Sequence, residues 1–127
     1  MSTTEKVSAV MSHTTVSIAP STTLREVADI LAREEIGAVV VREGDAEAVG
    51  MLSERDLITA IAEDSDLQSD RAADVMAFDV QTISPDDDVA TAAQQMLDGN
   101  IRHLPVLDGT KVVGILSIRD VLAHVLS

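Results

Sequence analysis

At 127 residues the chain has room for one domain or two very small ones, and its 46% apolar content is enough to build a core. Phe78 is the single aromatic residue, so that core must be aliphatic, and the absence of cysteine excludes disulfides, thiolate metal sites and a cysteine nucleophile. A net charge of −13 argues against a nucleic-acid or anionic-membrane surface. With no apolar run of about 18 residues and no signal peptide, a soluble cytoplasmic protein is expected.

The chain repeats itself. Displaced by 65 residues, Val10-Met11 falls on Val75-Met76, Ser17-Ile18-Ala19-Pro20 on Thr82-Ile83-Ser84-Pro85, Ile36 on Ile101 and Val41 on Val106. After Gly44 and Gly109 the offset drops to 64, because the first copy has one extra residue in its Glu43–Glu47 turn. The repeats are 7–62 and 72–127, and the acidic stretch 63–70 between them reads as a linker or a frayed helix end. Each repeat opens with an extended segment, Val16–Ile18 or Val80–Ile83, stopped by Pro20 or Pro85. A helix follows. Thr23 and Glu26 have capping-box spacing ahead of the stripe Leu24, Val27, Ala28 and Leu31. Asp88 caps the second copy ahead of Val89, Ala92, Ala93, Met96 and Leu97, and Gly99 suits the left-handed position that ends it. Two strands around a turn come next, Ala38–Val41 with Val49–Leu52 and Leu104–Leu107 with Val112–Leu116. A closing helix carries Leu57, Ile58 and Ile61, or Val121, Leu122, Val125 and Leu126. The fold class is therefore α/β (α+β): two β-α-β-β-α units, too small to bury their sheets alone, related by a pseudo-twofold.

The most repeated stretch is GMLSERD at 50–56 and GILSIRD at 114–120, identical at five of seven positions. One reading of Ser53-x-x-Asp56 and Ser117-x-x-Asp120 is a helix N-cap with an acidic N3 residue. The other is an anion site. Arg55 and Arg119 sit in the first turn of their helices, where a cation opposes the helix dipole at a cost of roughly 0.3–1 kcal/mol. The same misplaced arginine in both copies points to an anion at a helix start, whose free N–H groups attract one. An aspartate there accepts from paired ribose hydroxyls, while serine and arginine serve a phosphate. Arg102 and His103, in IRHLPV, supply further charge. Their counterparts in IGAVVV are Gly37 and Ala38, which leave space for a flat ring. His13, His103 and His124 show no metal-ligand spacing, His124 reads as a surface residue, and Met11, Met51, Met76 and Met96 read as core filler. Without a nucleophile beside a base, no enzyme is expected.

In its Val-Met openings, its Ile-Ala-Pro and Ile-Ser-Pro corners, IGAVVV, IRHLPV and above all GMLSERD and GILSIRD, the chain resembles a tandem pair of CBS (cystathionine-β-synthase) domains, a Bateman module of the stand-alone bacterial or archaeal type. The resemblance implies ribose bound by Asp56 and Asp120, with Ser53 and Ser117 near phosphate. It implies adenine beside Val16, Ile36, Gly37 and Ala38 in site one, with Arg102, His103 and Arg119 of the opposite repeat reaching the phosphates. Site two would use Gln81, Ile101, Ser117 and Asp120, with Arg55 reaching across. The implied function is a regulatory sensor that binds an adenosine-containing ligand in the inter-repeat cleft: AMP, ADP or ATP (with Mg when ATP), or NAD or S-adenosylmethionine. It passes occupancy to an unidentified regulated protein, as in energy sensing. A homodimer through the second helices of each repeat is expected. The alternative is a ligand-free protein-interaction or dimerisation module.

Overall fold

Gly50 and Gly114 mark the strands around which the chain organises itself. The computed structural model describes residues 4–13, 16–44, 50–77 and 80–127. They form two units: 16–80, and the residues preceding 16 together with 81–127. In the first unit, β1 (Ser17–Ile18) pairs parallel with β2 (Ala38–Val41), which pairs antiparallel with β3 (Gly50–Ser53). Helix α2 (Leu24–Glu34) lies between β1 and β2 in sequence, and α3 (Glu54–Ala62) and α4 (Ala72–Val75) follow. The second unit has α1 (Val7–Val10), α5 (Val89–Gly99), the antiparallel pair β4 (His103–Asp108) and β5 (Lys111–Ser117), and α6 (Ile118–Val125). Val49 and residues 45–47 of the Glu43–Glu47 turn lie outside the described residues, as does Phe78.

The short helices show how the repeats interleave. Val7 is fully buried in the core of the second unit with Val89, Leu104 and Leu116, while Ala72 is fully buried in that of the first with Leu24, Val27 and Leu52. The links are equivalent in the two units. Val7 N–H donates to the Asp87 carbonyl at 2.8 Å and Ser8 N–H to that of Pro85, as Ala72 N–H donates to Thr22 at 2.7 Å and Ala73 N–H to Pro20. The residues after these helices pair with the glycine strands. Ser12 and Ile115 exchange two backbone bonds, 2.9 and 3.1 Å, and Ala77 and Met51 do so at 2.9 and 3.2 Å. So each Val-Met opening packs on the glycine strand of the other repeat. Met11, Met51, Met76 and Met96 are all buried.

Four sequence expectations need correction. The strand expected at Val80–Ile83 shrinks to one parallel bridge between Ile83 and Val106. Ile83 makes both of its ladder bonds, but side chains occupy the flanking backbone: Asp87 accepts from Ser84 N–H at 3.0 Å and Gln95 donates to the Thr82 carbonyl at 3.1 Å. Gly99 is the last helical residue, and the left-handed position falls on Asn100 (φ 51°), as it falls on Glu35 (φ 54°) in the first unit. Ile36 and Ile101 N–H then bond back to the Leu31 and Met96 carbonyls, closing Schellman-type caps. Residues 63–70 are more than a linker: the Leu67 and Asp70 carbonyls accept from Arg25 and Leu24 N–H, meeting orphan donors at the start of α2. Leu97, expected in the apolar stripe of α5, is 72% exposed. The expected caps Thr23 and Asp88 do form, and the bond from Thr91 N–H holds the Asp88 carboxyl below its ordinary range.

Glu35 is exposed and carries a Cβ where glycine or asparagine belongs. Glu35→Gly is expected to raise stability by about 0.5–1 kcal/mol, because relief of left-handed strain outweighs the added chain entropy. Urea unfolding reads this directly; a lower midpoint would refute it.

Candidate functional site

The Ser-x-x-Asp corner is built at the point where a strand turns into a helix. Ser53 ends β3 in an extended conformation and caps α3. Its backbone N–H and its hydroxyl both donate to Asp56 Oδ2, at 2.8 and 3.0 Å, and Asp56 N–H donates to Ser53 Oγ at 3.3 Å. The second corner repeats the box: Ser117 N–H donates to Asp120 Oδ2 at 2.9 Å, and Asp120 N–H to Ser117 Oγ at 3.0 Å. The capping reading of the motif is therefore realised in both copies. All four residues are half-buried. Each helix start thus has its serine and aspartate fixed in one geometry, next to the positive end of the helix dipole.

The strand partner brings the other expected residues to the corner. Ala38 is the cross-strand partner of Ser53, and the Gly37 carbonyl accepts from Glu54 N–H at 2.9 Å. In the second unit His103 is the partner of Ser117, and the Arg102 carbonyl accepts from Ile118 N–H at 2.8 Å. These carbonyl links had no side-chain signal in the sequence. Val16 and Ile36 are half-buried against the first core, and the Val16 carbonyl accepts from Val40 N–H at 3.3 Å. Ile101 packs on the second core. Gln81 is exposed and lies with Ile101 beside Gly99: a Cβ there would meet Gln81 Nε2 at 2.7 Å and Ile101 Cγ1 at 3.5 Å. Gly37, Ala38, Ser53 and Asp56 thus form one group, and Arg102, His103, Ser117 and Asp120 another.

Arg55, Arg102 and Arg119 are exposed. The ion pairs found among the described residues join Lys6 to Asp86, Arg25 to Asp29 and Arg33 to Glu34, so none of them engages these three arginines. His124, expected at the surface, is half-buried. No helix among the described residues is long and apolar enough to cross a membrane.

A family model for the CBS domain matches residues 7–63 and again 72–127. The chain belongs to the CBS domain family. It carries two CBS domains in tandem, with the mixed α+β fold of CBS domain pairs. Similar proteins include the CBS domain-containing protein YhcV of Bacillus subtilis, 30% identical over 87% of this chain and 78% of that protein. Among solved structures, a CBS domain protein from Pyrobaculum aerophilum complexed with AMP is 32% identical, with a TM-score of 0.84 over 96% of this chain and 98% of that one. The CBS domain pair of protein MJ0100 in complex with 5′-methylthioadenosine and S-adenosyl-L-methionine is 25% identical, with a TM-score of 0.86 over 96% and 95% of the two chains. The tandem CBS chain spans 33% of the length of one curated archaeal relative and 54% of another.

Proposed function

We propose that this CBS pair is a regulatory, non-catalytic module that binds an adenosine-containing ligand, of the AMP, ADP, ATP, NAD or S-adenosylmethionine class, and signals its occupancy to a partner protein. The observation that carries the reading is the repeated Ser–Asp corner. In each copy Asp Oδ2 takes the capping bonds, which leaves Oδ1 as the acceptor for ribose hydroxyls, while an exposed arginine stands in the same helical turn. The AMP and S-adenosylmethionine complexes of similar CBS proteins support the ligand class.

In this reading Asp56 and Asp120 hold ribose, and Ser53 and Ser117 face phosphate. Val16, Ile36, Gly37 and Ala38 receive adenine in the first site, and Gln81 and Ile101 in the second. Arg102, His103 and Arg119 lend positive charge to the ligand at Asp56, and Arg55 to the ligand at Asp120. The first site is the tighter, because Arg102-His103 has no counterpart at Gly37-Ala38. A ligand that engages both repeats favours one of their arrangements, and a partner that binds that arrangement reads its occupancy.

Thermal unfolding with AMP, ATP, NAD and S-adenosylmethionine tests this. A ligand at a hundredfold excess over its Kd adds about 2.7 kcal/mol, a Tm rise of several degrees for a chain of this size. No shift with any of the four favours a second reading, a ligand-free dimerisation module. That reading draws on the exposed apolar side chains Ile58, Ile61, Leu122 and Leu126 on and just beyond α3 and α6. We infer that those side chains join two copies in a homodimer whichever reading holds.

A further inference from the structure

The opening segments 5–12 and 70–77 dock by the same backbone bonds, the first inside the second unit and the second inside the first. Val7 and Ala72 N–H donate at 2.8 and 2.7 Å, and Ser8 and Ala73 N–H at 3.1 and 3.0 Å. The Glu5 and Asp70 carbonyls accept from Val89 and Leu24 N–H at 2.9 and 3.0 Å. Val10-Met11 and Val75-Met76 are the same pair of residues. Neither the backbone nor these side chains can therefore tell one slot from the other. The fully buried position of each opening does differ: it is Val7 in one and Ala72 in the other.

The slots differ in the opposite sense. Leu24, Val27 and Leu57 share the first core with Ala72; at the equivalent positions of the second core stand Val89, Ala92 and Val121. These have one, two and one side-chain carbons fewer, four in all. Leu104 against Val39 restores one of the four, and Val7 against Ala72 restores two more. The other shared core positions are identical or, at Leu31 and Met96, alike in volume. Helix α1 packs on α5 and α6, and α4 on α3, so each opening lies against helices that carry the exchanged residues. Close-packed interiors register a change of one methylene. The opening with Ala72 would leave a cavity in the second slot, and the opening with Val7 would overfill the first.

We propose that Val7 and Ala72 are size keys. The surface of α5 and α6 is a docking slot that selects the opening 5–12 over 70–77, and this selection fixes which repeat clasps which opening. The test transposes volumes in the full-length protein. Exchange of the openings alone, Val7→Ala with Ala72→Val, is expected to raise the unfolding equilibrium constant about a hundredfold, read by urea unfolding. Exchange of the helix residues alone, Val27→Ala with Ala92→Val, is expected to do the same. All four substitutions together return one valine and one alanine to each core, and are expected to bring the constant back to within about tenfold of the wild-type value. Losses that multiply instead, or an exchange of openings without effect, overturn the proposal. The second slot supplies an independent arm that needs only two substitutions. Ala92→Val is expected to destabilise the wild-type protein and to stabilise the Val7→Ala variant. Destabilisation in both backgrounds overturns the size selection as well.

Discussion

Asp56→Ala is expected to weaken binding of the adenosine ligand at least tenfold, while Asp120→Ala weakens it less. The affinity loss comes from hydrogen bonds to a charged acceptor, each worth about 1.5–3 kcal/mol, against about 1.4 kcal/mol per tenfold. The same substitution also removes the carboxylate half of a capping box, since Asp56 Oδ2 accepts from both the N–H and the hydroxyl of Ser53, while the capping bond from the N–H of residue 56 to Ser53 Oγ remains. Loss of a hydrogen bond to that carboxylate costs roughly 1.5–3 kcal/mol of stability at most, less where water replaces it at this half-buried site. Asp120→Ala loses the equivalent carboxylate half of the box at Ser117 and carries a similar stability cost. The pair therefore separates the two roles of the corner: stability falls about equally, affinity unequally. Titration calorimetry gives the affinities and urea unfolding the stabilities. Affinities in the reverse order would sink the asymmetry drawn from Arg102-His103 against Gly37-Ala38. Equal affinity losses, matched to the stability losses, would reduce the corner to a cap.

Much of this architecture is legible in the sequence because it is local. Thr23, Ser53, Asp88 and Ser117 cap the helices that their spacing predicts, since an N-cap and its N3 partner lie within one turn. The hairpins follow from apolar runs around Gly44 and Gly109, both in the left-handed region. The group at the first corner is legible for the same reason: the hairpin register that places Ala38 opposite Ser53 brings the small residues of IGAVVV to the start of α3. What escapes the sequence is non-local. Val10-Met11 and Val75-Met76 begin their repeats in sequence, yet they pack on the glycine strand of the other repeat, and no periodicity encodes a partner that far along the chain. Ile83 has the composition of a strand, but side chains of Asp87 and Gln95 hold its neighbours and end the ladder. Leu97 fits the helical stripe of α5 and still faces solvent. A hydrophobic period identifies an apolar face without identifying what covers it.

Gly114→Ala is expected to destabilise the protein by on the order of 3 kcal/mol, and Gly50→Ala by a similar amount. A Cβ at Gly114 would stand 2.5 Å from the Ser12 carbonyl oxygen and 2.8 Å from Met11 Sδ; at Gly50 it would stand 2.5 Å from the Ala77 oxygen and 3.1 Å from Met76 Sδ. The thioethers can move, since methionine adapts readily. The carbonyl oxygens cannot, because Ser12 and Ala77 are each held by a reciprocal pair of backbone bonds to Ile115 and Met51. Relief of the clash must therefore break that pairing, at about 0.5–1.5 kcal/mol per bond, on top of an overpacking cost of about 1–3 kcal/mol. Against a typical stability of 5–15 kcal/mol this is a large fraction. Gly109→Ala is the control: its φ is +64° but nothing lies within 4 Å of the new Cβ, so it loses only the left-handed strain of about 1–2 kcal/mol. Urea unfolding ranks the three, and amide exchange locates the damage. Faster exchange at Ser12 and Ile115 in Gly114→Ala would show the opening segment of the first repeat coming away from β5. If Gly114→Ala proves as mild as Gly109→Ala, the close approach of the two repeats' segments is not what requires the glycine in β5. If the ranking holds, the first residue of GMLSERD and GILSIRD is there to admit the other repeat's backbone. The glycine end of the motif then joins the two repeats' backbones, a job separate from the ligand-accepting role proposed for its aspartate.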